Sequence, residues 1–102
     1  MMKKEENLLD LNKIIHERIR LGIMSALSTR ETMTFTELRE LLNTTDGNLS
    51  VHARILEDNS YIKSEKEFVN RKPLTIFRIT ARGKKEFMDY LAKLKGIIKQ
   101  SS

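Results

Sequence analysis

Apolar residues recur at helical spacing from residue 7 to residue 29. Leu8, Leu11 and Ile15 share one face, and Ile19, Ile23, Ala26 and Leu27 continue the pattern. No Gly or Pro separates the two parts cleanly, so the spacing predicts either two helices meeting near His16 or one long bent helix. Met33, Thr34 and Phe35 are β-branched or aromatic, a run too short for more than one bridge of a sheet. Thr36 is placed to cap a short helix over 37–42 that turns Leu38, Leu41 and Leu42 inward. Residues 43–45 form a turn. Beyond it, Leu49, Ala53 and Leu56 supply the apolar stripe of another helix, ending near residue 58.

After Tyr61 the period changes from 3.6 to 2. Residues 62–67 and 74–79 read as strands joined through 68–73, where Asn70 suits a turn and Pro73 cannot donate to a ladder. Thr80 is placed to cap a last helix over 81–99. In it Phe87, Leu91, Leu94 and Ile98 form a stripe that Tyr90 and Ile97 widen. The fold class is therefore mainly α with a small β-hairpin, in one domain over 1–102. Its parts are an N-terminal helical region (7–29), a helix-turn-helix (36–58), a hairpin wing (62–79) and a C-terminal helix (81–99). Short helix, tight turn, helix and hairpin in that order define a winged helix-turn-helix.

The second helix of that unit has a particular surface. With Leu49, Ala53 and Leu56 at the core, Gly47, Val51 and Arg54 lie opposite, flanked by Asn48 and Ser50. A helix entering a DNA major groove about 12 Å wide needs small side chains near its N-terminus and a few longer groups to reach bases or phosphates. Plainer readings exist for several residues: Asp46 and Asn48 also suit a helix start, Arg54 also suits a solvated surface, and Arg71 with Lys72 also suits a charged hairpin tip. Beside Asn70 and Pro73, and after a helix-turn-helix, the tip reads better as a phosphate or minor-groove contact. His52, at the edge of the stripe, reads as a packed, hydrogen-bonded side chain.

Composition narrows the classes. At 102 residues, 39% hydrophobic and 32% charged, the chain has the size of one compact domain. It has no Cys, which excludes disulfides, thiolate metal sites and cysteine nucleophiles. No apolar run reaches the roughly 20 residues of a membrane span, and MMKKEENLL lacks a signal-peptide core, so a soluble cytoplasmic protein is expected. Residues 1–62 hold 8 Lys and Arg against 10 Asp and Glu, a net of −2; residues 63–102 hold 11 against 4, a net of +7. That asymmetry suits a polyanion approached by the C-terminal half.

Enzymatic constellations are wanting. His16-Glu17-Arg18-Ile19-Arg20 begins like a zinc-binding H-E-x-x-H, but Arg20 stands where the second histidine belongs. Ser50 and His52, two apart on a helix, diverge. Neither an enzyme, a cofactor nor a metal is expected.

The segments LRELLNTTDGNLSVHARILEDNSYI and NRKPLTIFRITARGKKEF resemble the winged-helix domains of MarR- and ArsR-like prokaryotic transcriptional regulators, in their short stand-alone branch. The likeness runs from about Ile15 to Leu94. It implies a DNA-reading helix from Thr45 to Asp58, with Thr45, Gly47, Asn48, Ser50, Val51 and Arg54 at the DNA, and Asn70, Arg71 and Lys72 at the wing contact. It also implies N- and C-terminal dimerisation helices, with Leu8, Leu11, Ile15, Phe87, Tyr90, Leu91, Leu94 and Ile98 at the interface. Two positions depart from the pattern. Ser60 replaces a usual Gly, so a left-handed helix exit needs Asn59 to take it, and Ile55 stands where a charge is common. The expected function is a homodimeric, sequence-specific regulator of double-stranded DNA, with any small-molecule effector undefined. The runner-up is a winged helix that binds protein instead of DNA. A basic amphipathic last helix lying on a membrane surface ranks third.

Overall fold

The computed structural model describes residues 10–101; Leu8 and the start of the expected 7–29 helical region lie outside them. Helix α1 spans Arg18–Arg30. The long bent helix is not what forms: residues 10–17 lie outside helix, and Asn12 Oδ1 accepts the N–H groups of Ile14 at 2.8 Å and Ile15 at 3.2 Å, closing a side-chain turn ahead of α1. Glu17, extended at φ −156°, then caps α1 by accepting the Arg20 N–H at 2.8 Å.

Strand β1 (Thr32–Thr34) leads directly into α2 (Phe35–Leu41). The cap is Thr34, not Thr36. The Thr34 hydroxyl accepts the Glu37 N–H at 3.1 Å while Glu37 Oε1 accepts the Thr34 N–H at 2.8 Å, a reciprocal box that needs Glu three residues after the cap. Leu38 is fully buried but Leu41 is 55% exposed, against expectation. So short a helix offers the core one side, and Leu42, about 100° round from Leu41, takes it.

Helix α3 (Asp46–Asp58) buries Leu49, Ala53 and Leu56. Both helices of the helix-turn-helix end alike. After α2 the Asn43 N–H reaches Glu40 O and the Thr44 N–H reaches Arg39 O; after α3 the Ser60 N–H reaches Glu57 O and the Tyr61 N–H reaches Leu56 O. These are paired closing bonds around one left-handed residue, here Asn43 (φ 51°) and Ser60 (φ 64°). Asn59 does not take the left-handed exit; it stays at φ −93° and its Nδ2 donates to Ile55 O at 2.8 Å.

Strands β2 (Ile62–Val69) and β3 (Lys72–Ile79) pair antiparallel, and β1 adds to the other side of β3, giving the order β1-β3-β2. The hairpin is tighter than the expected 68–73 connection: Asn70 and Arg71 alone turn the chain, both with positive φ, as a two-residue turn of the primed type demands. Val69 and Lys72 flank that turn, so Phe68 and Pro73 form a pair that exchanges no ladder bonds, and Pro73 is tolerated there. Helix α4 (Ala81–Ser101) starts where the Thr80 hydroxyl accepts the Gly83 N–H at 2.9 Å.

One apolar cluster joins these elements, including Ile19, Ile23 and Leu27 of α1, Leu38, Leu49, Leu56, Phe77 and Tyr90. Two glycines mark its closest approaches: a Cβ on Gly22 would meet Leu42 Cδ2 at 2.6 Å, and one on Gly83 would strike the Tyr61 carbonyl. The distal part of α4 leaves the cluster. The radius of gyration is accordingly 15.3 Å, above the roughly 13 Å of a compact chain of about 100 residues.

Candidate nucleic-acid interface

Among the described residues, the N-terminal half of α3 is uncovered on its outer side. Thr45 caps it, accepting the Asn48 N–H at 3.2 Å. Asp46 is held by Arg39, Nη1 to Oδ1 at 2.7 Å, and that contact raises the Arg39 pKa above its ordinary value. The ion pair keeps a carboxylate at the helix start neutralised. Gly47, Asn48, Ser50 and Arg54 are exposed, Val51 is 59% exposed, and a Cβ on Gly47 would meet nothing within 4 Å. Ile55 is half-buried.

His52 is a half-buried, hydrogen-bonded side chain, with Nδ1 2.7 Å from Arg20 Nη1 and 3.4 Å from Glu17 Oε1. Arg20 also donates through Nε to Ile14 O at 2.5 Å. This cluster fixes α3 against the start of α1. Burial alone would raise the Glu17 pKa, but the Arg20 and Ile19 N–H groups, with the charges of His52 and Arg20, bring it below the ordinary carboxylate value.

A cleft of about 230 Å³ separates α3 from the sheet, lined by Ser50, Arg54 and Glu57 on one side and Ser64, Thr75 and Phe77 on the other. The Ser64 hydroxyl donates to Glu57 Oε2 at 2.6 Å across it. Asn70, Arg71 and Lys72 are exposed at the hairpin tip, on the same molecule but beyond the cleft.

The residues expected at a dimer interface divide. Ile15, Phe87 and Tyr90 are at most 5% exposed, because the chain's own core covers them. Tyr90 OH lies 2.8 Å from His16 Nδ1, and burial raises the phenol's pKa. The segment before α1 is tied down further by Asn12 Nδ2 to Tyr61 OH at 3.0 Å and Lys93 Nζ to Asp10 Oδ2 at 3.5 Å. Leu11 and Leu94 are half-buried against the core. Leu91 (39%) and Ile98 (61%) remain exposed, joined on that side by Met88 (64%), which the stripe read from sequence omits. Phe68, which the sequence reading puts in the 68–73 connection, lies on β2 and is 76% exposed.

The arrangement of a helix-turn-helix with a three-stranded sheet whose β2–β3 hairpin forms the wing defines a winged helix fold. The chain belongs to the winged helix DNA-binding domain family, whose pattern matches residues 19–98. It is 33% identical over 82 residues to an uncharacterized protein of Methanocaldococcus jannaschii, covering 80% of this chain and 89% of that one. A solved structure, a transcriptional regulator homologue from Pyrococcus horikoshii OT3, is 33% identical with a TM-score of 0.88, covering 100% of this chain and 99% of that one. An ArsR-family transcriptional regulator, 17% identical, shares the fold with a TM-score of 0.60 over 97% of this chain and 94% of its own. No helix among the described residues is long and apolar enough to cross a membrane.

Proposed function

We propose that this single domain is a cytoplasmic transcriptional regulator that binds a specific double-stranded DNA sequence as a homodimer. In this reading α3 enters the major groove with Thr45, Gly47, Asn48, Ser50, Val51 and Arg54, while Asn70, Arg71 and Lys72 meet the backbone or minor groove. The observation that carries it is the uncovered, small-residue outer face of α3, with open space at Gly47 and an exposed Arg54. Arg54 has the length and planar donors to read a guanine edge, and the small neighbours let the helix backbone approach. Membership of a DNA-binding family and the likeness to the Pyrococcus regulator homologue support the same reading. The second copy supplies the second half-site that a helix-turn-helix protein usually reads.

Selection of bound duplexes from a random library tests this reading. An enriched palindrome is expected; a pool that stays random would leave the protein-interaction alternative. Arg54→Ala should weaken binding to the enriched site by about 1 to 3 kcal/mol and relax preference at one position per half-site. An equal loss on random DNA would make Arg54 a phosphate contact instead.

A further inference from the structure

We infer that Phe68, the cross-strand partner of Pro73, is an apolar wedge that the wing inserts into the minor groove beside the α3 contact. This rests on the DNA-binding reading above and adds a residue of a different chemistry to it. Phe68 is 76% exposed, the most exposed large apolar side chain among the described residues. Along β2 alternate residues share a face, so Ser64, Lys66 and Phe68 lie together, opposite Phe77, Thr75 and Pro73 of β3. At its base this is the face that closes the cleft with α3, through Ser64 and Glu57. Phe68 therefore projects on the side where α3 presents Arg54.

The two faces differ in charge. The opposite face mixes both signs, Lys63, Glu65 and Glu67 of β2 with Lys72 and Arg78 of β3, and Glu65 pairs with Arg78 at 3.0 Å. The face turned toward a duplex carries Lys66 and no carboxylate beside the Phe68 ring, with Arg71 at the adjacent turn. The reach fits as well. Ser64 to Phe68 is four residues, about 14 Å of strand, close to the half-turn of roughly 17 Å that separates neighbouring grooves of one duplex. Minor-groove proteins use apolar wedges of this kind to part a base step. Pairing of β2 with another chain is opposed, since its edge alternates Lys63, Glu65, Lys66 and Glu67.

The test uses the full chain and the duplex enriched from the random library, titrated between about 50 and 200 mM salt. Phe68→Ala should bind on the order of tenfold more weakly, with an unchanged dependence of log affinity on log salt, because an apolar contact releases no counterions. Phe68→Leu should recover most of the loss. A 2-aminopurine placed in the flanking minor-groove step should brighten when wild type binds and stay dim with Phe68→Ala. Circular dichroism should be unaltered. Wild-type affinity for Phe68→Ala, or a loss that tracks a change in sedimentation rather than in the 2-aminopurine signal, overturns the wedge while leaving the DNA reading intact. A wild type that binds no duplex overturns both.

Discussion

Arg71 sits in a conformation that an L-residue adopts at a cost. It and Asn70 form the hairpin turn with φ of 66° and 54°, and the second position of such a turn favours Gly. A left-handed non-glycine residue costs roughly 1 to 2 kcal/mol, partly offset in any comparison by the greater freedom of unfolded Gly. Arg71→Gly should therefore stabilise the fold by about 0.5 to 1 kcal/mol in urea denaturation and at the same time weaken DNA binding, flattening the salt slope by roughly 0.9 for one lost phosphate contact. Ser60→Gly is the control. Ser60 has φ 64° at the exit of α3, and its replacement should give a similar gain in stability with no change in salt slope. If Arg71→Gly keeps full affinity and slope, the wing tip does not meet DNA.

At the scale of elements, the start of α1 is the point where packing and charge meet. Glu17 caps the helix, faces His52 of α3 and Arg20, and has its pKa held below the ordinary value. A carboxylate depressed in the folded state contributes stability that is fully present above its unfolded value of 4.5 and is lost as pH falls through the folded value. Glu17→Gln should thus be less stable than wild type at pH 7. The gap should narrow when urea midpoints are compared below pH 4.5, where wild type loses the same charge. A gap independent of pH would mean that Glu17 acts through packing alone.

At the scale of the molecule, α4 runs on past the core that covers its first half. Met88, Leu91, Leu94 and Ile98 fall within about 120° of its circumference, and three of the four are exposed. Each large side chain buried in a second copy contributes roughly 1.5 to 3 kcal/mol before association costs. Leu91→Glu with Ile98→Glu should give a folded monomer by sedimentation equilibrium, with affinity for the palindrome lost and binding to a single half-site kept. Wild type that is monomeric at tens of micromolar would sink the homodimer.

The sequence by itself determined the order of elements and the buried stripe of α3, because Leu49, Ala53 and Leu56 repeat at the helical period and the change to period 2 after Tyr61 is abrupt. It also carried the position of the α4 cap at Thr80. What it left undecided depended on bonds between neighbours that compete for the same group. Asn12 closes a side-chain turn ahead of α1, Thr34 outcompetes Thr36 because Glu37 can answer it, and Ser60 takes the left-handed exit while Asn59 bonds back to Ile55. Tertiary structure alone decided which apolar residues are spoken for. Phe87 and Tyr90 share a periodic stripe with Leu91 and Ile98, yet the first two are buried and the last two exposed. Periodicity names a face of a helix, but how far along the helix that face is covered depends on where other elements end.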